Sequence, residues 1–166
     1  MIVLLIISLI LDGLLTNYLP YLVNDLSLFT PLLTVVTIFI IYPGFRKRER
    51  KYFITIFIVG LVYDLLYTNL LFYNGVLFIV IGLFNIYLNK KIQVNYLTEL
   101  LILIMNIVVY ILLNSLIILI CNLTIISIDK IVYVILHSLI INIVYGYILF
   151  FIIKRISSKN KKLKLN

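Results

Sequence analysis

Two aspartates, Asp12 and Asp64, stand inside runs in which almost every neighbour is Leu, Ile, Val, Phe or Tyr. A carboxylate at the centre of a lipid-embedded helix costs roughly 2.5–3.5 kcal/mol on insertion scales, so each must face protein or a wet cavity. Groups so placed do one of two kinds of chemistry. They carry a proton or a substrate along a transport path, or they act structurally, capping broken helices and bonding backbone donors or Tyr and Thr hydroxyls. The single histidine, His137, lies early in the last apolar run and could join them. No chain of further acidic or basic residues marks a path across the apolar core, which weighs towards the structural role.

Other chemistries lack their residues. One cysteine, Cys121, excludes an internal disulfide and a cysteine metal cage, and reads as a small buried apolar residue. There is no Gly-rich phosphate loop, nucleophile elbow or His–carboxylate metal motif. The two aspartates have no companion carboxylates for two-metal phosphoryl transfer. The sequence therefore predicts no enzyme, no metal and no cofactor.

Such residues need a scaffold, and composition sets its class. At 64% apolar and 12% charged, with mean hydropathy +1.24, the chain differs from soluble domains at about 45–50% apolar and 25% charged. The expectation is an all-α polytopic membrane bundle. A crossing helix needs about 20 apolar residues, which places spans near 2–19, 28–43, 52–72, 75–89, 97–122 and 131–153. The fourth follows the turn signal Asn74-Gly75; if it is re-entrant, five spans cross. The first run has no preceding Lys or Arg and no small-residue cleavage site, so it reads as a retained helix rather than a signal peptide.

The basic segments 46–51, Lys90-Lys91 and Lys154 to Lys164 follow the second, fourth and sixth spans, so they share one side, while Asp25, Asp129 and Lys130 fall on the other. By the positive-inside rule the cationic side and both termini are cytoplasmic. The domain reading is a bundle over 1–153 and a basic cytoplasmic tail over 154–166. The net charge of +8 is explained by these loops and by attraction to anionic lipid, without nucleic acid. Asn122-Leu123-Thr124 matches a glycosylation sequon by a short, common pattern. Tyr18, Tyr21, Tyr63, Tyr67 and Tyr73 fit interfacial belts.

In lipid, polar and small residues mark the face turned towards protein, and steps of three or four keep them on one face. The first span carries Ser8, Asp12 and Thr16 with Gly13. The second carries Thr30, Thr34 and Thr37, and the third Gly60, Asp64 and Thr68. Asn106, Tyr110 and Asn114 line the fifth, and Ser138, Asn142 and Gly146 the sixth. Five inward seams describe helices sharing one interior.

At Leu11-Asp12-Gly13-Leu14, Pro31, the stretch Gly60-Leu61-Val62-Tyr63-Asp64-Leu65-Leu66 and Gly75, the chain resembles the rod shape-determining MreD family. The resemblance covers roughly the first 90 residues, and the last two spans agree in hydropathy alone. It implies a non-enzymatic membrane component of the cell-shape complex that organises peptidoglycan synthesis during elongation. The partners it implies are MreC, MreB, RodA and a class B penicillin-binding protein. Asp12, Gly13, Gly60 and Asp64 carry over as family-motif positions, structural or partner-binding. The family's fold is similar to the substrate-binding subunits of energy-coupling factor transporters, which supplies the alternative of a vitamin-binding subunit. An Ala-x-x-x-Ala docking face, expected for that alternative, is missing from this chain.

Overall fold

A computed structural model describes residues 1–22, 31–68, 70–92, 96–121 and 127–162. Asp25, the sequon at 122–124 and the last four tail residues lie outside the described residues, as do the side chains of Tyr18, Tyr21 and Lys130. The described chain is six helices: α1 (Ile2–Leu22), α2 (Leu33–Phe45), α3 (Glu49–Tyr67), α4 (Tyr73–Lys91), α5 (Tyr96–Ile120) and α6 (Ile128–Lys162). Long Leu- and Ile-rich runs without polar alternation favour the helix, which pairs its own backbone groups where water is absent. In α5 and α6 the stretches Leu97–Ile120 and Ile131–Ile156 are long and apolar enough to cross a membrane.

The organising element is α2. Its 13 residues span only about 20 Å, less than the roughly 30 Å of a bilayer's hydrocarbon core. The expected second span, 28–43, thus becomes a shorter helix displaced towards the C-terminus. Every residue from Leu33 to Tyr42 is buried, and α2 packs against all five other helices.

The exterior is apolar, with Ile2, Val3, Ile6, Ile10 and Leu14 of α1 and Leu136, Ile140 and Val144 of α6 exposed. The interior holds Ser8, Asp12, Thr37, Asp64, Asn74, Asn85, Asn106, Ser138 and Asn142. Polar side chains set within an apolar core, beneath an apolar exterior, belong to a membrane protein.

Three further features differ from the sequence reading. Asn74 and Gly75 are not a turn but the first turn of α4; the turn residues 70–72 precede them and end on Phe72, whose φ of 69° is left-handed. Cys121 is exposed just beyond α5, not buried. The helix α6 continues to Lys162, so the basic segment from Lys154 begins as its prolongation.

The cationic segments gather at one end of the bundle. Lys90 Nζ lies 2.9 Å from Glu49 Oε1, joining the start of α3 to the end of α4. Met1 packs beside Gly44. Glu99 in the first turn of α5 lines a recess with Phe150 of α6, one turn before Lys154. The Lys90 ammonium, by hydrogen bonding, holds the exposed Glu49 carboxyl below its ordinary value. In such solvent the pair contributes little.

Pro43 sits inside α2 and has no N–H to give the carbonyl of Phe39 four residues before it. That carbonyl accepts instead from Asn85 Nδ2 of α4 at 3.3 Å. The neighbouring carbonyl of Ile38 accepts from the Tyr52 hydroxyl of α3 at 3.2 Å. Asn85 also accepts from Asn89 Nδ2 at 2.9 Å and from Asn106 Nδ2 at 3.1 Å. Asn85→Ala should lower stability by about 1–3 kcal/mol, the cost of a stranded buried acceptor. Adding Pro43→Ala restores an N–H to Phe39, and thermal unfolding in detergent should show that the double variant recovers part of the loss.

Candidate functional site

The first amides of any helix have no partner within it, and where no water reaches them something else must accept. Neither α2 nor α4 caps itself with its own side chain. Asp12 of α1 does so for α2. Its Oδ1 accepts from Leu33 N at 2.7 Å and its Oδ2 from Thr34 N at 2.7 Å. The amide just before, Leu32 N, donates to Asn142 Oδ1 of α6 at 2.8 Å. The two side chains thereby satisfy three successive amides at the start of α2.

Asp64 of α3 plays the same part for α4. Both its carboxylate oxygens accept from Asn74 N at 3.0 Å, and Oδ2 also accepts from Gly75 N at 3.4 Å. Asn74 Nδ2 donates to Oδ1 at 2.8 Å and Thr68 Oγ1 to the same oxygen at 2.9 Å. These bonds hold the reversal closed in spite of the left-handed Phe72, a conformation costing about 1–2 kcal/mol in a non-glycine residue. Each carboxylate also faces the partial positive charge of a helix N-terminus.

The two glycines permit the approaches that bring carboxylate and amide together. A Cβ on Gly60 would lie 2.6 Å from Gly75 Cα and 2.7 Å from the Asn74 carbonyl. Those are backbone atoms, which cannot give way, so α3 and α4 touch here because Gly60 has no side chain. At Gly13 a Cβ would meet Tyr67 Cε1 at 2.7 Å. Tyr67 lies across α1 there and donates its hydroxyl to the Leu9 carbonyl at 2.8 Å, clamping α3 to α1.

Polar neighbours extend the layer. The Tyr110 hydroxyl reaches Asn74 Oδ1 at 3.4 Å, the Tyr73 hydroxyl donates to Asn114 Oδ1, and Thr37 meets the Tyr145 hydroxyl at 3.2 Å. Tyr67, which flanks the Asp64 seam, and Tyr73 thus bond across helices. His137 does not join the carboxylates. Its Nδ1 lies 2.8 Å from the Tyr133 carbonyl on its own helix, and its ring packs on that of Tyr133.

Two groups were not singled out from sequence. Asn85 and Asn89, with Asn74, Gly75 and Gly82, make α4 a sixth inward seam, and their spacing in steps of three, four and seven was a usable signal. Glu99, the other, is an acidic residue three positions into an apolar run. A carboxylate bonded so fully to backbone amides is an acceptor and a cap, and no cluster of three or more His, Cys, Asp or Glu suited to a metal occurs among the described residues.

An apolar-surfaced helical protein built around such an interior is a membrane protein of structural type. The family model of the rod shape-determining protein MreD matches residues 1–159 of the 166, and the chain belongs to that family. The family is a shape-determining component, which gives the chain a role in rod shape determination. Comparison with curated proteins and with solved structures gives no match.

Asp12→Asn leaves one acceptor for two amides and turns an NH₂ towards the other. It should lower thermal stability in detergent by about 1–2 kcal/mol, the scale of a helix cap. Asp64→Asn, with more bonds to lose, should cost at least as much. Stability unchanged in both would show that the carboxylates do not hold the two helices.

Proposed function

We propose that the chain is a non-enzymatic adaptor of the elongation complex, organising peptidoglycan synthesis by holding membrane partners in place. Family membership carries this reading. Its partners on that reading are MreC first, then MreB, RodA and a class B penicillin-binding protein, together with membrane lipid. Six spans are proposed, with both termini and the cationic end cytoplasmic, in keeping with the positive-inside rule. The bundle then occupies residues 1–153, and 154–166 leave the membrane.

In that orientation α1 and α3 run outward from the cytoplasm. Asp12 and Asp64 lie roughly 15–18 Å along them, in the outer half of the bilayer. The motif positions Asp12, Gly13, Gly60 and Asp64 keep the layer rigid, and its rim receives a partner's transmembrane helix. Rigidity suits an adaptor, because partners bound to a fixed frame keep a fixed spacing.

Cells depending on Asp12→Ala or Asp64→Ala should lose rod shape. MreC recovered with each variant should fall further than the variant's own level in the membrane. Equal falls would leave the aspartates a folding role only, and rod shape with normal MreC recovery would contradict the proposal.

A further inference from the structure

Glu99 presents a charge without a counterpart among the described residues. It stands half-buried in the first turn of α5, at the end of the bundle that carries Arg46 to Lys51, Lys90, Lys91, Lys154 and Arg155. Its acidic neighbour at that end, Glu49, is paired with Lys90. Glu99 makes no hydrogen bond or ion pair among the described residues. Lys154 and Arg155 have interactions of their own.

The surroundings of Glu99 are apolar. It lines a recess of about 30 Å³ between α5 and α6 with Leu100, Leu103, Gly146, Tyr147 and Phe150, with Ile40 of α2 behind. About 10–15 Å³ of such space admits one water, so the recess takes the tip of one side chain and not a bulky ligand. Of its lining residues Leu100 and Tyr147 are exposed, as are Leu97 and Leu101 of α5 and Val144 of α6. A half-buried carboxylate beside such a groove is stabilised by an opposite charge brought by whatever fills it.

We propose that the α5–α6 groove is the docking surface for a single transmembrane helix bearing Arg or Lys at the same membrane boundary as Glu99. The occupant lays an apolar face along Leu100, Leu103, Ile143 and Tyr147, and one of its side chains enters the recess. Its cation closes on the Glu99 carboxylate, and a guanidinium does so with two parallel hydrogen bonds. The inference rests on the adaptor reading, and it assigns that adaptor a second contact, apart from the aspartate layer.

The test uses the full-length chain in phosphatidylcholine vesicles with synthetic single-span Leu/Ala peptides, association being read by energy transfer. A peptide with Arg at one boundary should associate roughly threefold more tightly than its Gln counterpart, the scale of one polar contact in a bilayer. Glu99→Gln should erase the difference, and Glu99→Lys should transfer the preference to a Glu-bearing peptide, both with unchanged thermal unfolding. An Arg preference that survives Glu99→Gln, or is missing in the wild type, overturns the proposal. So does Glu99-dependent self-association of the chain, which would make a second copy the occupant. Loss of the preference on adding phosphatidylethanolamine would also overturn it, making a lipid amine the occupant. Such failure with intact rod shape and MreC recovery rejects this surface alone; loss of the adaptor reading would appear in those cellular measurements instead.

Discussion

A backbone amide withdrawn from water must find an acceptor, and α2 begins with three such amides inside the molecule. Leaving each unpaired in an apolar medium would cost several kcal/mol. The helix reaches the surface only at its C-terminal end, and its first ten residues are buried. Its neighbours must therefore supply the partners. Asp12 and Asn142 do so at the start, and Asn85 and Tyr52 at the proline-weakened end. Four of the five helices around α2 thus hold its backbone, which fixes their positions relative to one another. The α3–α4 hairpin repeats the device, with Asp64 capping α4 and Gly60 letting the backbones meet.

This explains why carboxylates stand where lipid would exclude them. The neutral Asn142 offers a single acceptor oxygen, which takes the Leu32 amide. Each carboxylate serves two or more and meets a helix dipole of opposite sign. The charge is expensive to bury in isolation, and bonded in this way it becomes the joint between two helices. The same bonds leave the oxygens occupied.

Much of this was legible in the residues. Asp12 and Asp64 stood out by their cost, and the seams at Ser8, Thr37, Asn106 and Asn142 point to side chains now found inside. That the aspartates could cap helices and bond backbone donors was legible; which amides they hold was not, because Leu33, Thr34, Asn74 and Gly75 are brought near by tertiary packing. Asn74-Gly75 has the composition of a turn, yet Asp64 draws Asn74 into a helix and the reversal shifts to Phe72. The role of Asn85 depends on the carbonyl that Pro43 frees on a different helix, a relation that local spacing does not carry. Cys121 falls past the end of α5 and is exposed, since a residue's apolar character does not locate a helix end. Glu99 was visible as a lone acid but acquires meaning only beside the groove that α6 forms with it.

The amides of Leu33, Thr34 and Asn74 provide the most direct test, through residue-resolved hydrogen exchange of the full-length chain in micelles. First-turn amides ordinarily lack a partner and exchange fast. Carboxylates seated on these three predict exchange as slow as that of the hydrogen-bonded amide of Val36 within α2. Rapid exchange at all three, with the helix centres protected, would show that the helix starts are open to solvent and that the interior joints do not exist.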